Sequence, residues 1–196
     1  MKLVLATHNE HKVRELRRIL GSGLEGIELI GYDGPEPIED GDTFEANALI
    51  KARAAAAHTG LPAIADDSGI SVDALGGAPG IYSARYAGNR DDTENLELLL
   101  ANLVGESNRA AQFTCAAAFV SGEFEHVEVG VWAGSVLTER EGADGFGYDP
   151  IFKPDEADVS AAELTPDEKN AISHRTRAFT ALLPVVRATL LGPDAN

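Results

Sequence analysis

Sulfur is nearly absent from this chain: 196 residues contain a single cysteine, Cys115, and a single methionine. One cysteine excludes an intramolecular disulfide framework and fits a reducing, cytoplasmic compartment. Positive charge is also scarce. Lysine and arginine total 16 against 32 aspartates and glutamates, so the formal net charge is −16. That balance excludes the basic footprint needed to bind nucleic-acid polymers or anionic membranes nonspecifically. It leaves open a small anionic ligand, which responds to the local field and to any bound metal. Long apolar runs are missing too. The stretch 1–6 is too short for the core of a secretion signal, and nothing approaches the roughly 18 apolar residues of a membrane span. Internal repeats, low-complexity tracts and linkers are absent. So are the G-x-x-x-x-G-K-[ST] run of P-loop NTPases and the D-x-D-x-[TV] pattern of aspartyl-phosphate phosphatases.

What is present is an ordinary globular composition, 44% hydrophobic and 24% charged. The length predicts one domain over 1–196 with a core that needs no disulfide or metal staple. Residues 3–6 read as a short buried strand. Asn9 can cap a helix over 10–20, with Val13, Leu16 and Leu20 on one face and Gly21 as its stop. Residues 27–30 read as a second strand and the proline-containing, acidic stretch 31–41 as a loop. An alanine-rich helix spans 42–58, and a third strand over 63–65 leads into Asp66-Asp67-Ser68-Gly69. Asp91 or Asp92 opens a helix to about residue 104. Two alternating strands, 111–121 and 124–137, meet at Gly122-Glu123, a hairpin signal. Thr165-Pro166-Asp167-Glu168 is a capping box with proline at the first helical position. Ser173 caps a last helix through 191. Early strand–helix alternation followed by a hairpin predicts an α/β fold with a mixed sheet.

Several segments carry residues suited to chemistry. Thr7-His8-Asn9-Glu10-His11-Lys12 lies where a strand hands over to a helix N-terminus, a place that favours anions; it also reads as a plain cap followed by a surface lysine. Asp66 and Asp67 follow a strand, where α/β folds place ligands, and could hold a divalent cation or activate water. On extended chain they point to opposite sides, so one of them need face a site. The pair also reads as a solvated turn. Glu45 lies three residues after Asp42 and could close a capping box or serve as a ligand near Asp67. Asn47 and Lys51 share a helix face. The run 142–150 places Phe146 and Tyr148 among glycines, suited either to stacking on a planar base or to a hairpin loop with core aromatics. His58, His126 and Cys115 read as structural. Four of the five lysines, Lys12, Lys51, Lys153 and Lys169, fall in or beside these segments.

Together the segments resemble the inosine triphosphate pyrophosphatase family, whose bacterial members are the XTP/dITP diphosphatases. The matching stretches are Leu5-Ala6-Thr7-His8-Asn9 with Lys12, Thr43-Phe44-Glu45 with Asn47 and Lys51, residues 61–69, 75–86, 145–152 and 161–164, and Lys169 with Ser173-His174-Arg175. They run through the whole chain in the family's order. His8 is a departure, standing where bacterial members often have a small residue, and would narrow the phosphate loop.

The resemblance implies an α/β/α fold with a long mixed sheet, two lobes with an active-site cleft between them, and a homodimer. It implies hydrolysis of dITP, ITP and XTP to monophosphate and pyrophosphate with Mg²⁺, cleansing the nucleotide pool. By carry-over, Asp67 is the water-activating base and a metal ligand, Glu45 is the second ligand, and Asp66 assists. Thr7, His8, Asn9, Glu10, His11 and Lys12 would cradle the phosphates with Lys51, and Ser68 would touch the substrate. Phe146 would stack on the purine while Gly147, Tyr148 and Asp149 shape its pocket. Lys169, His174 and Arg175 would offer donors to the C6 oxygen that deaminated purines carry and adenine lacks. A pyrophosphatase for modified pyrimidine nucleotides, and a catalytically silent nucleotide-binding protein, remain alternatives at this point.

Overall fold

The computed structural model describes residues 1–8 and 10–192, without the side chains of Glu10 and His11. In chain order its elements are β1 (Lys2–Leu5), α1 (Glu10–Leu20), β2 (Glu28–Gly31), α2 (Phe44–Thr59), β3 (Ala63–Val72), α3 (Asp92–Asn102), β4 (Ala110–Ser121), β5 (Phe124–Val136), β6 (Phe152–Pro154), α4 (Pro166–Ile172) and α5 (His174–Leu191). The strands form a six-stranded sheet in the order β2-β1-β3-β4-β5-β6. Strand β1 runs parallel to β2 and β3, whereas β6 is antiparallel to β5. The sheet is therefore mixed and the fold α/β, as the sequence pattern predicts. The β4–β5 hairpin turns at Gly122, whose φ of +60° suits a residue without a Cβ. Among the described residues, no helix is long and apolar enough to cross a membrane.

The chain divides into two compact units. The first comprises Met1–Asp67, Cys115–Gly130 and Arg175–Asn196. Strand alternation gives it two cores. Leu3, Leu5, Ile64, Cys115, Ala117 and Phe119 share one face with Leu16 and Leu20 of α1 and with Phe179, Leu182 and Val186 of α5. Val4, Ala63, Ala65, Ala116 and Ala118 share the other with Ala48, Ala52 and Ala55 of α2. Spacings of three and four residues put those α2 alanines on one stripe. This arrangement is helix, sheet, helix, in line with the α/β/α expectation.

The second unit comprises Ser68–Thr114 and Val131–His174. Its core joins Leu96 and Leu99 of α3, and Leu103 just after it, to Ile70, Val72, Phe113, Trp132 and Phe152. The capping box at Thr165 is present: its side chain accepts from Glu168 N, and the Glu168 carboxylate accepts from Thr165 N.

Two expectations change. Strand β3 does not stop at residue 65; it continues to Val72, so Asp66, Asp67, Ser68 and Gly69 lie within a strand rather than on a loop. Their polarity reads as a turn only until their buried partners are counted. The long alanine-rich helix starts at Phe44, not at residue 42, because Thr43 is the cap and accepts from Ala46 N at 3.1 Å. Glu45 is thus a first-turn residue rather than the acid of a capping box with Asp42. Ser173 stands immediately before α5, which runs from His174 to Leu191 as expected, and is also the C-cap of α4.

Gly69 shows how tightly the strand is held beside the acid pair. A Cβ there would sit 2.4 Å from both the Gly80 carbonyl oxygen and Ser83 Oγ. Gly69→Ala should therefore destabilise the protein by about 1–3 kcal/mol. Urea unfolding checks this, and an unchanged midpoint would show that the Gly80 backbone yields freely.

Candidate active site

Asp66 and Asp67 occupy successive positions of β3 and face opposite sides of it. Asp66 shares the parity of Ile64, on the α1 and α5 side; Asp67 shares that of Ala65, on the α2 side. Each acid accordingly finds its partners on a different layer.

Asp66 is buried, at 3% exposure. Its Oδ2 accepts from Lys12 Nζ at 3.0 Å and from Arg175 Nε and Nη2 at 3.4 Å each. Arg175, 2% exposed, also donates through Nη1 to Glu15 at 2.7 Å. Burial alone would push the Asp66 carboxyl up, but Lys12, Arg175 and Lys51 outweigh it and hold the group well below the usual carboxylate range. Burial likewise works against the charge on Arg175, and Asp66 with Glu15 reverse that and raise its affinity for its proton. A carboxylate this deep survives ionised only because it is paired and hydrogen-bonded.

Asp67 has a different environment. Its Oδ1 accepts from Lys51 Nζ at 3.0 Å and its Oδ2 from Asn47 Nδ2 at 3.2 Å. Lys51 also lies 3.4 Å from Glu39 Oε1. Burial raises the Asp67 pKa above its ordinary value, and Lys51 offsets this only in part. Lys51 is pulled the other way: burial lowers it, but Asp67, Asp66 and Glu39 together raise it, so the ammonium stays charged. One acid of the pair is locked as an anion while its neighbour has raised proton affinity. That divergence suits a proton acceptor beside a fixed charge.

The strand-to-helix segment after β1 belongs to the same unit. Thr7 N donates to Leu5 O at 2.9 Å. His8 Nδ1 lies 3.2 Å from Glu36 Oε1, and its ring centroid is 5.5 Å from that of Tyr32. Asn9 and the side chains of Glu10 and His11 lie outside the described residues.

The second unit gathers the aromatic and cationic group. Phe146 is exposed at 41%, and Lys169 Nζ lies 4.9 Å from its ring centroid. Lys169 donates to Asp149 Oδ2 at 2.5 Å, and the same oxygen accepts from Phe146 N at 2.9 Å. Gly147 N donates to Asp92 Oδ2 at 3.1 Å, and Tyr148 Oη to the Ser83 carbonyl at 2.8 Å. The His174 ring lies nearly parallel to Phe113, with centroids 4.8 Å apart and planes at 12°. Ser68 is half-buried on β3.

The structure thus joins Lys12, Asp66 and Arg175 in one set of bonds, Lys51 and Asp67 in a second on the other side of β3, and Phe146, Asp149 and Lys169 in a third. It turns Arg175 onto Asp66 and Glu15, where the resemblance implied a base donor. Glu45 is exposed on the first turn of α2. Sequence reasoning missed Glu15, Glu39 and Asp92. Glu15 carried a signal, since it lies three residues after Lys12 and shares its helix face. Glu39 carried none, because a loop residue meeting a helix leaves no periodicity.

A divalent metal can be weighed against these donors. Among the described residues, no group of three or more His, Cys, Asp and Glu side chains is gathered to hold one. Mg²⁺ does not need such a cage: it keeps several waters and takes one or two carboxylates plus substrate phosphates. Asp67 fits that demand. Glu39, which shares the Lys51 ammonium with Asp67, fits as a partner carboxylate. The donor set is compatible with Mg²⁺ bound together with a polyphosphate.

Removing the Asp66 charge tests the network. Asp66→Asn leaves Arg175 and Lys12 short of an anion and should cost about 3–5 kcal/mol at neutral pH. The Asp66 pKa is depressed on folding, so its contribution is full above the unfolded carboxylate pKa of about 3.9 and is lost as pH falls. Urea midpoints for both proteins should differ by a constant amount from pH 8 to about pH 5 and converge in more acid solution. A gap that widens on acidification would contradict the pairing.

The description of the matching family model is "Ham1 family", and it spans residues 3–185. A dITP/XTP pyrophosphatase of Leifsonia xyli subsp. xyli is 58% identical over 192 residues, covering 96% of each chain. A HAM1 protein from Coxiella burnetii superposes with a TM-score of 0.87 at 43% identity, covering 95% of this chain and 98% of that one. A nucleoside-triphosphatase / dITP/XTP pyrophosphatase from Mycobacterium abscessus gives a TM-score of 0.77 at 48% identity, covering 94% of this chain and 100% of that one. Sequence and fold agree along nearly the full length, and the chain belongs to the Ham1 family.

Proposed function

We propose that this protein is a pyrophosphohydrolase of non-canonical purine nucleoside triphosphates, releasing the monophosphate and pyrophosphate. The dITP and XTP specificities follow from relatives of 48–58% identity named for them. ITP is added on the chemistry of its base, which is that of dITP. The observation that carries the reading is Asp67: a carboxylate raised by burial, held by Lys51 and Asn47, beside an Asp66 fixed as an anion.

Hydrolysis to pyrophosphate requires water to attack the α-phosphorus in line with the departing group. Such a reaction asks for positioning and charge neutralisation more than covalent chemistry. Asp67 takes the proton from the attacking water, for which a raised pKa is an advantage. Lys12 and Lys51 neutralise phosphate oxygens, and the segment from Thr7 to Lys12 borders them at the N-terminal end of α1. Mg²⁺, held by Asp67 with Glu39 as the favoured second carboxylate, would supply charge neutralisation on the triphosphate. Glu45, the ligand implied by the resemblance, is the competing choice.

The base is read in the second unit. Phe146 offers an exposed ring, and Asp149 fixes both the Phe146 backbone and the Lys169 ammonium. Hypoxanthine and xanthine present an oxygen at C6, and adenine an amino group. A donor fixed at that edge is left unpaired against adenine, which is costly. The homodimer and the cytoplasmic location are parts of this proposal that rest on the family resemblance. Free nucleotides, not polymers, are the partners that suit a net charge of −16.

Two experiments test the proposal. With Mg²⁺, the wild type should release pyrophosphate from dITP, XTP and ITP and far less from dATP. Asp67→Asn should lower kcat by about 10²–10⁴. Orthophosphate as the first product, or an Asp67→Asn enzyme with near-normal kcat, would refute the assignment. Separately, Glu39→Gln should raise the Mg²⁺ concentration needed for half-maximal rate more than Glu45→Gln does. The opposite order would place the second ligand on α2.

A further inference from the structure

We infer that Asp92, which lies outside every segment that carries the family resemblance, is a positioning residue for base recognition. It would hold the loop that presents Phe146. The inference rests on the reading of Phe146 as the base-stacking residue.

The loop is tied to the rest of its unit at several points, and each fixes a different group. Gly147 sits at φ +60°, in the left-handed region, so the chain reverses direction immediately after Phe146. Asp149 accepts from Phe146 N and ties that part of the loop to α4 through Lys169 Nζ at 2.5 Å. Tyr148 Oη anchors one flank on the Ser83 carbonyl. The backbone N–H between these two points, that of Gly147, donates to Asp92 Oδ2 at 3.1 Å across 55 residues of sequence. This bond attaches the loop to the start of α3.

Asp92 is well suited to that task and is not consumed by another. The cap of α3 is Asp91, whose side chain accepts from Glu94 N at 2.9 Å. Asp92 is the first residue inside the helix, where the helix dipole favours a carboxylate without requiring a specific hydrogen bond from it. A carboxylate oxygen accepting a backbone N–H fixes direction as well as distance. Through Gly147 it sets the orientation of the neighbouring Phe146 ring, which is exposed and has Lys169 over its face. Asp92 touches no reacting atom, so its effect should fall on binding rather than on chemistry.

Steady-state kinetics with dITP on the full chain test this, using Asp92→Ala, Asp92→Asn and Phe146→Ala, with thermal melting of each. Asp92→Ala should raise KM about tenfold, the order expected for loss of one charge-assisted hydrogen bond, with kcat and Tm little changed. Asp92→Asn keeps an acceptor oxygen while losing the charge, and should recover part of the KM loss seen in Asp92→Ala. Equal impairment of Asp92→Ala and Asp92→Asn would assign the effect to charge at the helix start and overturn the inference. Phe146→Ala separates the two layers of the argument. If it raises KM and Asp92→Ala does not, the Asp92 role alone is wrong. If neither changes KM, the base-stacking reading itself fails and the Asp92 role fails with it.

Discussion

The first unit is organised around one buried carboxylate. Asp66 on β3 binds Lys12 from α1 and Arg175 from α5, and Arg175 returns to Glu15 on α1. A carboxylate so far from water is tolerated only when its cations are in place, and the cations are tolerated only because of it. The network therefore fixes two helices against one strand, and it fixes the ammonium of Lys12. Strand alternation then does the rest. With Asp66 committed to the α1 and α5 side, Asp67 must face α2, where Asn47 and Lys51 wait one helical turn apart. Asp66 thus turns Asp67 toward α2 without sharing its partners.

The acidic excess takes on structure in this light. A formal charge of −16 is unfavourable to a triphosphate when it is spread evenly. Here Lys12 and Lys51, two of only five lysines, are set against Asp66 and Asp67. A third, Lys169, is set against Asp149 beneath an exposed aromatic ring. Each pair holds its ammonium in a fixed position.

Much of this was legible in the sequence. The two-residue alternation of β4 and the three- and four-residue stripes of α2 and α3 name the core faces directly. Asn47 and Lys51 at helical spacing foretell their common partner. The acid pair on an extended chain foretells that each would face a different side. Other features were not legible, for physical reasons. Asp-Asp-Ser-Gly has the composition of a turn, and only buried cations and the close approach of Gly80 to Gly69 allow it to continue as strand. A histidine beside an arginine at a helix start gives no hint that Arg175 faces Asp66 and Glu15. Glu39 and Asp92 act through loop contacts, which have no period to detect.

The reaction proposed for this site is attack of water on the α-phosphorus of the triphosphate. Hydrolysis of dITP in H₂¹⁸O, followed by mass spectrometry of both products, tests it most directly. One ¹⁸O is expected in the phosphate of the nucleoside monophosphate and none in pyrophosphate. Label in pyrophosphate would show attack at the β-phosphorus and contradict it.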